Sequence, residues 1–326
     1  MPHYIIRNFL IIFGIPLVAW GILHSFNWYA NMTERHDLAP LSVERVQFPL
    51  HNPWGVGGVN RFGALTAPEQ AQLMALLDRS ITALDPWLDG LDRDGFSLLC
   101  LGENHDGHLR NLMASKILSR LPTDALLLEG RRTDAARILR HVQARDYVPL
   151  LGQNIRPVVL AAKAANPAVR VLGIEETRPQ YDARFNSQGQ GREASIEQNL
   201  RAVYKPGKRH IVLFGAFHCS QRTKLYSRLM VAPPDTTPML NIRVTREHIE
   251  APIETFVYFL DEIGFLGDGP TGELSGDIVI TDTAALATYF RHWFPFFTSN
   301  ELEHYGALVI MRPLRYPPPQ KAALPS

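Results

Sequence analysis

Cysteine is almost missing from this 326-residue chain: only Cys100 and Cys219 occur. Two cysteines cannot build a disulfide framework, and their spacing excludes a Cys-x-x-Cys metal or redox signature. The sequence reads both as buried free thiols, since cysteine is among the most buried residue types. An excess of one charge is missing too. The 33 Lys and Arg against 32 Asp and Glu leave a net charge of +1, and no basic cluster offers the face that nucleic acid needs. There is no internal repeat. There is also no Gly-x-Ser-x-Gly elbow, which argues against a serine-hydrolase mechanism. With 46% hydrophobic and 20% charged residues, wholesale disorder is excluded.

One absence is local. From Asn8 to Thr33 there is no Asp, Glu, Lys or Arg, and Phe9 to Leu23 is almost wholly apolar. Extended through Tyr29, the stretch reaches the roughly 20 residues that cross a bilayer as a helix. Arg7 would stay on the cytoplasmic side and Trp28 and Tyr29 in the far interface. A cleaved signal peptide is the competing reading, but Trp28-Tyr29-Ala30 lacks the small residue expected before a cut. The expectation is a single-pass anchor over residues 1–30, with the rest of the chain outside the cytoplasm. A linker with an N-terminal helix follows over 31–95, then an α/β domain over 96–312 and a Pro-rich tail over 313–326.

Thr66-Ala67-Pro68-Glu69 has the form of a capping box with proline in the first turn. Leu73, Leu76, Leu77, Ile81 and Leu84 then mark the apolar face of one amphipathic helix. Beyond Gly95, apolar runs alternate with helical stretches. Strands are expected at Ser97–Leu101, Ala125–Leu128, Val169–Ile174 and His210–Phe214. Later runs at Leu240–Val244, Thr255–Leu260, Asp277–Ile280 and Ala307–Met311 could extend the sheet. Helices are expected over Leu109–Leu121, Thr133–Arg145, Ile155–Ala165, Arg192–Tyr204 and Ser220–Met230. Such alternation predicts an α/β fold, a mostly parallel sheet with helices on both faces and right-handed crossovers.

Four of those runs end in chemistry. Two end in Gly-x-x-His words, Gly102-Glu103-Asn104-His105 and Gly215-Ala216-Phe217-His218; the other two stop at Glu129 and at Glu175-Glu176. In an open parallel sheet the carboxyl ends of the strands share one rim, where ligands bind. Glu103 and His105 are two apart and share a face of an extended segment; Asp106 and His108 follow in the same loop. Imidazole and carboxylate together suit Zn, Mn, Fe or Co, or a metal-free acid/base pair. Glu129 closes a buried strand, which is costly without a partner; Arg131 and Arg132 are its nearest cations in sequence. Only one of Glu175 and Glu176 can face the rim, leaving the other solvated. Arg192, at a helix N-terminus where a cation opposes the macrodipole, is a candidate for holding a carboxylate or an oxyanion. It shares a helix face with Asn199.

A strand ending in Gly-Glu-x-His-Asp, a second ending in Glu, an Arg-Glu-x-x-x-x-x-Asn helix and a strand ending in Gly-x-x-His resemble the erythromycin esterase/ChaN/Tiki superfamily. The resemblance covers roughly Ser97 to Cys219. It implies that Glu103, His105, Glu129 and His218 form the site, with Arg192 and Asn199 on the helix motif. The superfamily divides between hydrolases and haem binders. The expected function is therefore hydrolysis of an ester or amide bond in a small molecule or peptide. Glu103, His105, Glu129, Arg192 and His218 would be catalytic, and the first two with Glu129 and His218 would also hold any metal. Asp106, His108, Arg131, Glu175 and Asn199 would contact substrate. The alternative is a non-catalytic haem- or iron-binding protein, with His108, His218 or a tyrosine as axial ligand. ChaN-type chains are usually tethered by a lipidated cysteine, which this N-terminus lacks, and Tiki proteins differ at the position of Glu103.

Overall fold

The computed structural model describes residues 61–186, 188–220, 239–246, 251–266, 274, 276–290, 293 and 304–312. All fall in the compact unit Asn52–Ser326. The uncharged stretch from Asn8 to Thr33, residues 221–230 of the helix expected after Cys219, and the Pro-rich tail lie outside them. Among the described residues no helix is long and apolar enough to cross a membrane.

The eight main strands are β1 (Ile81–Ala83), β2 (Leu98–Glu103), β3 (Ala125–Leu128), β6 (Arg170–Gly173), β7 (His210–Gly215), β8 (Met239–Arg246), β9 (Ile278–Ile280) and β10 (Ala307–Met311). A small hairpin, β4 (Pro149–Leu150) and β5 (Gln153–Asn154), stands apart. The sheet order is β1-β9-β10-β8-β2-β7-β3-β6. From β10 to β6 every pair is parallel, and β9 alone runs antiparallel to its two neighbours. The chain leaves β2 for β3 and β6, and later returns to lay β7 between β2 and β3. β8 then falls on the other side of β2. This reversal is a topological switch point, and the crevice beyond it is where an open α/β sheet binds ligands.

Among the described residues ten helices accompany the strands: α1 (Ala67–Ser80), α2 (Leu84–Asp94), α3 (Gly107–Met113), α4 (Arg132–His141), α5 (Arg156–Ala165), α6 (Arg178–Phe185), α7 (Arg192–Val203), α8 (Ala216–Cys219), α9 (Ala251–Glu262) and α10 (Thr283–Phe290). A π-type segment, Ala114–Leu118, continues α3. Side chains alternate across the sheet. Leu99, Leu101, Leu126, Leu128, Ile211 and Leu213 join one core with Leu109 and Ile138 of α3 and α4. Their neighbours Leu98, Leu127, Val212 and Phe214 join another with Ile196 and Leu200 of α7. Both faces are therefore covered by helices, which is why these strands read as continuous apolar runs.

Two expected elements differ. The stripe from Leu73 to Leu84 is not one helix: α1 ends at Ser80, and Ile81–Ala83 pairs antiparallel with β9, Ile81 opposite Ile280. The sheet thus begins before residue 96, where the sequence placed the domain's start. Thr255–Leu260 lies inside α9. Its apolar residues are buried all round against Phe290 and Ile310, and a short run buried on all sides carries no period that separates strand from helix.

Candidate functional site

Side by side on the rim, the ends of β2, β7, β3 and β6 carry Glu103, Gly215, Glu129 and Glu175. The two Gly-x-x-His words pack on each other through their glycines. A Cβ on Gly102 would come within 2.8 Å of Ala216 Cα, and a Cβ on Gly215 within 3.0 Å of His105 Nε2. Each word therefore clears space for the other. Gly215 also turns its N–H on Glu129 Oε2 at 2.6 Å. The cysteines beside these words are not free thiols: Cys100 and Cys219 form a disulfide between β2 and α8. Local composition missed this pairing, because it depends on proximity between residues 119 apart.

Glu103 is 1% exposed. Its Oε1 accepts from Arg110 Nε at 2.7 Å and Nη2 at 2.5 Å. Its Oε2 is buried with no partner. His105 sits in the left-handed region (φ 53°), which for a non-glycine residue costs on the order of 1 kcal/mol or more. That backbone aims the imidazole between two carboxylates, with Nδ1 3.4 Å from Glu103 Oε1 and Nε2 3.5 Å from Glu129 Oε2. The second separation is too long for a good hydrogen bond. The ring stays 35% exposed on a cavity of about 480 Å³ whose walls include Glu103, Phe217, His218, Arg243 and Tyr305.

Arg192 closes the other side. Nε and Nη2 grip Glu175 at 3.1 and 2.5 Å, Nη2 also reaches Glu129 Oε1 at 2.9 Å, and Nη1 lies 3.1 Å from His218 Nε2. The Glu175 hydrogen bonds hold its pKa above the usual arginine value despite burial. His218 stands between Glu193 Oε1 (2.8 Å from Nδ1) and Glu129 Oε1 (3.5 Å from Nε2). Burial opposes the imidazolium, yet these two carboxylates raise the His218 pKa to about 9. Burial likewise opposes ionised Glu129, but His218 and the Gly215 N–H bring its pKa down to about 2. With His218 charged, its Nε2–H turns to Glu129, and the nearby Arg192 Nη1 becomes a like-charge contact that the two glutamates offset.

Two of the remaining sequence candidates, Asp106 and Asn199, have structural duties. Asp106 caps α3, accepting from the N–H groups of His108 and Leu109 at 2.8 and 3.3 Å. His108 is exposed on the first turn of α3 and lines neither rim cavity. Asn199 donates to the carbonyls of Ile174 and Glu175 at 3.3 and 3.0 Å, fixing the turn that presents Glu175. Glu176 is not solvated as expected; it is buried in a two-point bond with Arg184, both distances 2.9 Å. Glu129 takes Arg192 as partner rather than Arg131 or Arg132. Arg110 and Glu193 were missed. Their signals were a cation beside Leu109 and Met113 on an apolar stripe, and an acid adjoining Arg192.

No family model and no curated protein matches this chain. Its fold is similar to solved structures at low levels only. Against a chain described as "Crystal structure of bacterial protein toxins" the TM-score is 0.33 with 14% identity, over 59% of this chain and 44% of that one. Against "Cofacial heme binding to ChaN of Campylobacter jejuni" it is 0.34 with 8% identity, over 72% and 97%. The chain thus spans less than half the length of the toxin chain. Likeness of this degree assigns no chemistry, so function rests on the site's own geometry.

The expected metal centre does not fit that geometry. Among the described residues no group of three or more His, Cys, Asp or Glu side chains is disposed to hold a metal ion. Guanidinium groups take the space instead: Arg192 lies within hydrogen-bond reach of both Glu129 and His218, and Arg110 occupies Glu103.

The Glu129–His218 pair gives a pH prediction. A lowered carboxylate pKa adds stability above the ordinary value of 4.5, lost as pH falls through about 2; a raised histidine pKa adds stability below 6.5, lost as pH rises through about 9. Urea unfolding should show a stability plateau near pH 5–6.5. On the alkaline side, between pH 6.5 and 9, the decline should be on the order of 3 kcal/mol. His218→Gln should flatten that limb; an unchanged limb in the variant would refute the pairing.

Proposed function

We propose that this rim hydrolyses an ester or amide bond with a metal-free histidine–carboxylate centre. The observation that carries the reading is His105, held at φ 53° between two buried carboxylates and open to a cavity. Backbone strain of this kind persists where the surroundings over-determine it, and it clusters at active sites. In this mechanism Glu103 steadies the Nδ1 side of the ring. His105 takes the proton from the attacking water as oxygen adds to the carbonyl carbon. The oxyanion develops toward the imidazolium of His218 and the guanidinium of Arg192, fixed positive groups already in place. The tetrahedral intermediate collapses by breaking its bond to the alkoxide or amine, which receives the proton back from His105.

Haem binding is the second reading. Phe217, 69% exposed on the cavity lip, is the feature that favours a flat apolar ligand. The donor set fits it less well. Tyr305 donates its hydroxyl to Ala216 O at 2.7 Å, and His218 faces two glutamates.

One experiment separates them. On a panel of ester and amide substrates, His105→Ala should lower kcat/KM more than about a hundredfold while the thermal midpoint stays put or rises as strain is relieved. Absence of turnover on the whole panel, with a Soret band that titrates on haem addition, would replace hydrolysis by haem carriage.

A further inference from the structure

Beyond the ridge formed by Glu129 and Arg192 lies a second cavity of about 450 Å³. Its charges are matched almost completely. Arg192 holds Glu175 and Glu129, Arg184 holds Glu176 at 2.9 Å, and Arg137 pairs with Asp134 at 3.7 Å while donating to Pro149 O at 3.0 Å. Arg131 is the exception. Its main-chain N–H donates to Asp134 Oδ2 at 3.0 Å, an N-cap contact in which the arginine side chain, having no acceptor, takes no part. Among the described residues the guanidinium of this half-buried residue has no hydrogen-bond or ion-pair partner, and Arg131 is part of the cavity lining. The acids around it are all committed to other cations. Pro149, Leu150 and Leu151 of the small hairpin add apolar surface to the lining.

We infer that this second cavity is the recognition subsite for an oxyanion group, carboxylate or phosphate, carried on a short aliphatic segment, with Arg131 as its receptor. A guanidinium left over in an otherwise neutralised wall offers a planar fork of donors suited to such a group. The aliphatic segment packs on Leu150 and Leu151. Because Glu129 and Arg192 belong to both the ridge and the cavity wall, a molecule seated here leads toward His105. This names the substrate class of the hydrolytic reading, an ester or amide with an anionic terminus, and for the reaction it rests on that reading.

Binding is tested without turnover. Glutarate and butyl phosphate are titrated by calorimetry into the full chain, into Arg131→Met and Arg131→Lys, and into Arg137→Met, with thermal midpoints recorded for each. At least one probe should bind saturably to the parent. The affinity should fall at least tenfold in Arg131→Met, recover in part in Arg131→Lys, and change less than threefold in Arg137→Met. Which probe binds tells carboxylate from phosphate. Failure of both probes to bind, or equal weakening in the Arg131 and Arg137 methionine variants, overturns the assignment. Anion binding without ester turnover would leave the subsite standing and sink the hydrolytic reading; turnover without anion binding would do the reverse.

Discussion

Replacing Arg110 with methionine should lower the unfolding free energy by about 3–5 kcal/mol, read from urea titration. Both members of the Arg110–Glu103 pair are 1% exposed, so neither reaches bulk water. With the guanidinium gone, the Glu103 carboxylate is left in a site that no longer compensates it, the costly half of breaking a buried pair. The carbonyls of Leu150 and Gln153 also lose donors at 2.8 and 3.3 Å. Methionine matches the volume, which keeps a cavity penalty out of the measurement. Adding Glu103→Gln removes the stranded charge, so the double variant should regain more than half of the loss. A single-variant loss below about 1 kcal/mol would mean that solvent reaches Glu103 after all; so would a double variant no more stable than the single.

That pair also shows where sequence reasoning stops. The rim was legible because a parallel strand buried on both faces must be apolar along its length. The first polar residue after each run, Glu103, Glu129 or Glu175, then marks a strand's carboxyl end. Local pattern could say that these residues share an edge. It could not say which cation each acid takes. Arg110 is seven residues from Glu103 and Arg192 is 63 from Glu129, so adjacency pointed to Arg131 and Arg132 instead. Ile81 shows the same limit in secondary structure. Its spacing from Leu77 and Leu84 suits a helix, yet pairing with Ile280 across 199 residues makes it a strand. Thr255–Leu260 fails for a different reason: Phe256, Val257, Phe259 and Leu260 are all buried, so no polar face reveals the period.

The Cys100–Cys219 bond should be the other large contributor to stability, because it closes a segment of 119 residues. Constraining so long a loop in the unfolded chain is worth roughly 5 kcal/mol by chain entropy alone; measured values run nearer 2–4 kcal/mol. Under dithiothreitol, or in Cys100→Ser with Cys219→Ser, the urea midpoint should fall accordingly, and thiol titration of the oxidised, unfolded chain should count none. The position of the bond adds a local consequence. Cys100 lies in β2 three residues before Glu103, and Cys219 follows His218 in the four-residue α8. Asn241 holds the end of α8 through the Cys219 carbonyl at 3.0 Å, so reduction should loosen α8 without releasing it. His218 then loses part of its fixed position between Glu193 and Glu129, and its pKa should relax from about 9 toward 6.5. An NMR titration of His218 before and after reduction reads this directly. Two free thiols in the oxidised protein, or the same midpoint with and without reductant, would remove the bond from the account. A lowered midpoint with an unmoved His218 titration would instead show that Asn241 and the glycine contacts of Gly102 and Gly215 suffice to hold the second Gly-x-x-His word in place.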